Sequence, residues 1–499
     1  MRRIITLSLA STLSIFSAFS QSAKPKTTTK PATTNSANGG YNLPVTVAPL
    51  KNCWVYIGCY YGKFKNLVDS AWLDNNSTGV FKGKAKLTEG IYFLVSPKHS
   101  ILTEFLMDKP QRFSIKADTL HLETASITGS ADNDLFQQYT KYLSTKGPQL
   151  NALQSQYKEA KTTADSTRIR DEIIAGNKEL TDYRENVIKQ HPESLLTFLL
   201  QAMKRPEVPA MPKLPNGKLD STYPYRFVKE HYWDDVSFED DRLLRTPFFE
   251  PKVDEYFKYY VSPEPDSVIQ EVNYILLSAR TGKDMFKYML GKFTDKYINP
   301  EIMGQDKVFV FLFNNYFSKG DTTWLSAKQK EFIFNRAYSL MANQIGEAAA
   351  PMDLVDTSGK AVPLYGLNAP FTFVLFWDHT CGHCKEEVPR IDSIFEAKWK
   401  KMGVKIYAVN VNADEHIMEP WKKFIIDSKL KGWTHVYELK KQRDADNAAG
   451  RANFRQLYDV FQTPTMYLLD KDKHIIAKKL TLEQFDEVMQ AKLKAQASK

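Results

Sequence analysis

Hydrophobic and polar residues follow three different rhythms along the chain, and each change of rhythm predicts a change of structure. From about Leu43 to Ser130 the runs "NCWVYIGCYYGKF", "VDSAWLDNNSTGVFKGKAKL" and "GIYFLVSP" are rich in aromatic and β-branched residues. Turn residues such as Asp74-Asn75-Asn76 and Gly90 separate them. Such runs predict short strands, and a small β-sandwich is the expected outcome.

From about Ala131 to Ala350 the apolar residues recur at helical spacing. In the polar stretch "DLFQQYTKYLSTKGPQLNALQSQYKEAKTTADSTRIRDEIIAGNKELTDYRENVIKQ" they include Leu150, Leu153 and Tyr157, which predicts solvated helical hairpins. "PESLLTFLLQAM" predicts a more buried helix, opened by Pro192 and ended by Pro206. "PDSVIQEVNYILLSAR" and "QKEFIFNRAYSLMANQI" continue the helical pattern. One run, "HYWDDVSFEDDRLLRTP", gathers His231, Asp234, Asp235, Glu239, Asp240 and Asp241. It lacks the glycine that turns a calcium loop, so a solvated acidic loop is expected rather than a metal site.

From about Met352 strands and helices alternate. "FTFVLFW" is continuously apolar, as a central strand buried on both faces must be. A helix follows, with Val388, Ile391, Phe395 and Trp399 on one face; "GVKIYAVNV" then predicts a second central strand. "ANFRQLYDVF" predicts a short helix, and "TPTMYLLDKDKHIIAKKL" a hairpin turning near Lys471-Asp472. "TLEQFDEVMQAKL" predicts a closing helix with Thr481 as its cap.

At 499 residues the chain is too long for one core, and about three domains are expected. A hydrophobic fraction of 43% is that of a globular protein. The net charge of +9 is spread among many acids, without the basic stripe that nucleic acid requires. Arg2 and Arg3, the apolar run Ile4 to Phe19 and the small residues before Gln21 have the form of an export signal over residues 1–20, too short to span a membrane. No second apolar segment of spanning length follows. The next stretch, residues 21–42, is rich in Thr, Pro, Lys and Gly and is expected to be a flexible linker.

Export changes how the four cysteines are read, because disulfides persist outside the cytoplasm. Four is few for a stapled secreted protein, which favours chemistry for at least one pair. Cys53 and Cys59 are six residues apart. On one extended strand that is about 20 Å, well beyond the roughly 4.4 to 6.8 Å a disulfide spans between Cα atoms. Two separate thiols are expected unless a bulge or turn at Gly58 folds the strand back.

Cys381 and Cys384 stand where a buried strand ends and a helix begins. There the unpaired N–H groups and positive end of the helix favour a thiolate on Cys381. Cys384, one turn deeper, is positioned to close a disulfide onto it, so Cys381 is expected to attack and Cys384 to resolve. His379, Cys381, His383 and Cys384 are proper ligand types for zinc or copper, but no second ligand pair is visible to close a site. Covalent haem needs a histidine where Lys385 stands.

With these residues in place, the order "MDLVDTSGKAVPLYGLNAPFTFVLFWDHTCGHCKEEVP", a following strand and then "FQTPTMYLLD" resembles the thioredoxin superfamily. Within it, the order is most similar to the TlpA-like thiol-disulfide oxidoreductases of the bacterial envelope. The preceding modules resemble uncharacterised envelope-protein domains. The resemblance implies a C-terminal α/β thioredoxin-like domain over residues 351–499, behind a β-sandwich-like domain (43–130) and a helical region (131–350). It implies catalytic Cys381 and Cys384, a cis Thr463-Pro464 turn that receives substrate, and tuning of the pair by His383 and Trp377.

Two positions depart from the pattern. Leu375 stands where a buried acid is usual, and Thr380 where Trp is usual. Glu387, three residues after the second cysteine, is at the place of a glutamate common in the TlpA-like group, and is the expected acceptor of the resolving thiol's proton. The implied activity is disulfide exchange with protein thiols or disulfides in the periplasm or envelope, with an unidentified redox partner, no cofactor and no metal. The alternatives are a thiol peroxidase, or a binding or scaffold protein with an ancillary redox domain.

Overall fold

The computed structural model describes residues 39–412 and 418–497. The expected export signal and most of the expected linker lie outside the described residues. The chain divides into two compact units, one running to Val261 and taking in Tyr274–Met289, the other made of Ser262–Asn273 and Leu290 onward.

The first unit opens with β1 (Tyr41–Ala48), β2 (Cys53–Tyr61), β3 (Phe64–Leu73), β4 (Thr78–Gly83), β5 (Gly90–Val95), β6 (Ile101–Met107), β7 (Ser114–Asp118) and β8 (Ser126–Thr128). They form two four-stranded sheets, ordered β4-β1-β7-β8 and β3-β2-β5-β6. β1 begins inside the stretch read as linker, since Tyr41 pairs with Gly83 and its hydroxyl donates to Asp69. Alternation places Leu43, Val45 and Val47 in one core with Val55, Ile57, Leu73 and Phe81. β5 is buried on both faces. Its Tyr92 and Leu94 enter that sandwich core, while Ile91, Phe93 and Val95 pack against Phe136, Leu196 and Leu199 of the helices that follow.

Those helices are α1 (Ala131–Glu159), α2 (Thr163–Gln190) and α3 (Leu195–Ala202). Ser130, Thr162 and Ser194 each cap one by accepting from a backbone N–H in its first turn. α1 and α2 are the solvated hairpin, with Leu150 buried and Tyr157 exposed, and α3 is the buried apolar helix.

A bulge interrupts β2 at Ile57/Gly58, where a side chain on Gly58 would collide with the Phe93 ring. The strand nevertheless continues to Tyr61. Cys53 and Cys59 are both free thiols, the first half-buried and the second buried. Three carboxylates of the acidic run have hydrogen-bond partners within the protein. Asp234 binds His231, Asp240 grips Arg242, and Asp241 accepts the N–H groups of Asp284 and Met285.

The helical region continues through α4 (Tyr223–His231), α5 (Phe249–Tyr259), α6 (Pro265–Ser278), α7 (Met285–Tyr297), α8 (Asp306–Asn315) and α9 (Ala327–Met341), the last opened by a Ser326/Gln329 capping box.

The C-terminal sheet contains β9 (Asp353–Asp356), β10 (Ala361–Pro363), β11 (Thr372–Trp377), β12 (Lys405–Asn410), β13 (Thr434–Tyr437), β14 (Thr465–Leu469) and β15 (Ile475–Lys478), in the order β10-β9-β13-β12-β11-β14-β15. β11 runs parallel to β12 and antiparallel to β14. Every residue of β11 is buried. Phe373, Leu375 and Trp377 face one layer, with α10 (Gly382–Ile394), α11 (Met418–Asp427) and α14 (Leu482–Ala497). Val374 and Phe376 face the other, with Phe454 and Tyr458 from α13 (Phe454–Leu457) and its end. Burying each such side chain contributes about 1.5–3 kcal/mol, which is why this strand is central.

α10 passes into a π-helical turn at Phe395–Trp399, where the Trp399 indole donates to Asp486 of α14 at 3.1 Å. Thr481 caps α14, exchanging hydrogen bonds with Gln484. The order of elements makes this an α/β thioredoxin-like domain behind a sheet-rich region and a helical middle.

Candidate redox site

β11 ends at Trp377, and after Asp378, His379 and Thr380 the chain turns at Cys381 into α10. Cys381 is the N-cap residue of that helix, in extended conformation, its N–H bonded to the Asp378 carbonyl. Asp378 shapes the turn. Its carboxylate accepts from the Thr380 N–H and hydroxyl, both at 2.8 Å, and from Asn412 at 3.1 Å. Burial pushes the carboxyl up, but these hydrogen bonds outweigh it and hold the group below its ordinary range. Thr380, in the place of the usual Trp, thus serves the turn itself.

Cys381 is half-buried, and its Sγ lies 3.4 Å from the Thr463 carbonyl oxygen. Thr463-Pro464 is a cis peptide bond, as the resemblance implied. The thiol donates to that carbonyl. A hydrogen bond from the Thr463 side chain, with the N–H groups of Cys384 and His383, lowers the Cys381 pKa against the opposing effect of burial. Cys384 is fully buried among Leu375, Trp377 and Val388. Burial pushes its thiol up to about 11, offset in part by the Asp378 N–H and the Thr463 side chain. Both cysteines are free, so this is the dithiol form.

The remaining expected residues divide. His383 supplies its backbone N–H to the Cys381 sulfur while its side chain is exposed. Trp377 is buried below the pair and packs against Phe424 of α11. Glu387 is bonded to Arg390, which also binds Glu483, and no hydrogen bond joins it to Cys384. His379 is buried beside Asp378, and burial lowers its pKa. Among the described residues, the His379, Cys381, His383 and Cys384 set does not converge as a metal site. Elsewhere among the described residues, ligand atoms of Asp470, Asp472 and His474 converge in the turn between β14 and β15.

Sequence reasoning missed Asp378, Asn412 and His435. The spacing Asp378-His379-Thr380 before a helix is a legible Asx-turn signal. Asn412 reaches the site only because β12 lies beside β11. His435, on β13, stacks on Trp433 with ring centroids 5.7 Å apart, and burial drives its pKa down to about 4.

Residues 345–478 match the AhpC/TSA family, and residues 154–343 match a domain of unknown function, DUF5106. The thiol-disulfide oxidoreductase ResA of Bacillus thuringiensis subsp. konkukian is 28% identical over 149 residues, 29% of this chain and 77% of that protein. A thioredoxin-like protein from Bacteroides caccae is 20% identical, with a TM-score of 0.43, over 57% of this chain and 99% of that one. A domain of a possible thiol-disulfide isomerase from Cytophaga hutchinsonii is 32% identical, with a TM-score of 0.27, over 31% of this chain and 97% of its own. The C-terminal region of the chain is thus an AhpC/TSA-type thioredoxin-like domain, preceded by a segment that matches a family of unknown function.

Proposed function

We propose that the chain is an exported thiol-disulfide oxidoreductase that exchanges disulfides with protein substrates through Cys381 and Cys384. One observation carries this: a partly exposed sulfur at a helix N-terminus, favoured as thiolate, sits above a second, buried sulfur of much higher pKa. That asymmetry is what a two-step exchange needs. The ResA relatives, named as thiol-disulfide oxidoreductases, support the same chemistry.

In the first step the Cys381 thiolate attacks one sulfur of a substrate disulfide. The substrate S–S bond breaks, its leaving thiolate takes up a proton, and a mixed disulfide remains. In the second step Cys384 gives up its proton and attacks Cys381 Sγ, so the mixed disulfide breaks and the second substrate thiol departs. The substrate gains two electrons and the pair becomes a disulfide, to be reset by a dithiol redox partner; run backward, the same steps oxidise a substrate.

Thr463 and Pro464 are assigned to the substrate strand, on the nearness of the Thr463 backbone to Cys381 Sγ. Glu387 is assigned to the Cys384 proton, on its position one turn along α10. The periplasm or cell envelope is assigned from the signal-like first 20 residues, and no described helix is long and apolar enough to cross a membrane.

Insulin reduction by the full chain tests the proposal. Wild type is expected to be active, Cys381→Ser inert, and Cys384→Ser to accumulate mixed disulfide. Equal inactivity of all three would sink it. The reduction potential against glutathione then separates a reductase from an isomerase, a value well below the glutathione couple marking a reductase.

A further inference from the structure

The stretch that leads into the Thr463-Pro464 turn is held from outside the thioredoxin-like domain. Arg336 of α9 is buried and forms an ion pair with Asp459, which is fully buried. The same guanidinium donates to the Ile298 carbonyl at 3.2 Å and to the Asn299 side chain at 2.8 Å, and stands 5.2 Å from the centre of the Phe461 ring. Asp459 also receives Lys479. Just upstream, Asn343 donates to the Leu457 carbonyl at 3.0 Å, and the Tyr458 hydroxyl bonds to the Ala350 carbonyl. Asp459 itself has φ of 52°, a left-handed conformation in which Asp is among the more tolerated residues. Four residues beyond Asp459, the chain presents Thr463 to Cys381.

An ion pair at full burial persists only where its geometry is fixed and its remaining hydrogen bonds are met. Arg336 meets these conditions: its guanidinium has the carboxylate, a carbonyl, an amide oxygen and an aromatic face. Arg336, Ile298 and Asn299 lie in the region that matches the family of unknown function, yet belong to the same compact unit as the redox pair.

We propose that Arg336 is a positioning residue for the redox site: by gripping Asp459 it fixes the 457–462 stretch and so sets Thr463 against Cys381. The last helix of the middle region is then a working part of the redox domain. The proposal rests on Cys381 as the attacking thiolate.

The test is alkylation of the reduced full chain with iodoacetamide between about pH 5 and 10, following Cys381 by mass-spectrometric fragmentation of the peptide that carries both cysteines. Arg336→Met is expected to move the midpoint up toward the ordinary thiol value of about 8.5 and to slow alkylation at neutral pH roughly threefold. Arg336→Lys, which keeps a charge for Asp459, is expected to stay near wild type. A folded Arg336→Met chain with the wild-type midpoint overturns the proposal, as does a Lys variant shifted as far as the Met variant. If Arg336→Met fails to fold, Asp459→Asn decides, since Asn tolerates the same left-handed backbone and keeps the shape while removing the charge that Arg336 grips. An upward shift supports the proposal and an unchanged midpoint overturns it. Because alkylation needs no substrate, a wild type inert toward insulin but showing the shift removes the oxidoreductase function and leaves the positioning role standing.

Discussion

Thr463 and Cys381 are 82 residues apart in sequence, yet the carbonyl oxygen of one lies 3.4 Å from the sulfur of the other. A hydrogen bond from the Thr463 side chain also lowers the Cys381 pKa. Thr463→Val removes that donor while keeping the shape. The Cys381 midpoint should rise, so the thiolate fraction and the alkylation rate should fall at neutral pH and converge with wild type at high pH. Thr463→Ser should restore the wild-type profile. An unchanged profile in the Val variant would assign the lowering to the helix N–H groups alone.

The two sulfurs should be separable by pH. With Cys381 lowered and Cys384 pushed up to about 11 by burial, brief alkylation at neutral pH should label Cys381 alone. At pH 7, a thiol with a pKa of about 11 is ionised to roughly one part in ten thousand. Equal labelling of both cysteines, told apart by fragmentation of the peptide that carries them, would contradict the burial of Cys384.

How much of this was legible depended on how local the cause was. "FTFVLFW" could be placed as a central strand because full burial is written in its composition, and the pair at the head of the next helix followed from it. The closing helix was legible from its periodicity and from Thr481. By contrast α12 (Lys440–Ala448) carries no buried residue, so no apolar rhythm announced it. Asn412 and Arg336 were invisible for a different reason: each gains its role from a partner, Asp378 or Asp459, brought near only by the assembled fold. The pair's surroundings were therefore harder to read than the pair.

The height of the Cys384 pKa gives Glu387 its expected role. So rarely ionised a thiol needs a proton acceptor, and a positioned general base contributes typically about 10²–10⁴-fold. The Leu375 position supplies none. Glu387→Gln should therefore slow decay of the mixed disulfide about tenfold or more, with the first step unchanged. Arg390 is bonded to Glu387, so Arg390→Ala should free the carboxylate and act in the opposite direction. The pair is exposed enough that stability should change by less than about 1 kcal/mol in either variant. Rapid-quench trapping of the mixed disulfide reads the step directly, and equal decay in all three proteins would remove Glu387 from the mechanism.

His435 should make the domain sensitive to acid. Burial lowers its pKa from 6.5 to about 4, its Nε2 faces the Leu430 carbonyl at 3.2 Å, and its Nδ1 is buried without a hydrogen-bond partner. The unfolded chain therefore binds a proton at this residue before the folded chain does. By linkage, its contribution is fully present above about pH 6.5 and is lost as the pH falls through about 4. Other groups titrate in the same range, so the informative quantity is the difference between wild type and His435→Gln. The melting temperature of the wild type should fall more steeply across that window, while the two proteins should run parallel above it. Parallel curves throughout would mean that His435 is not held neutral by burial.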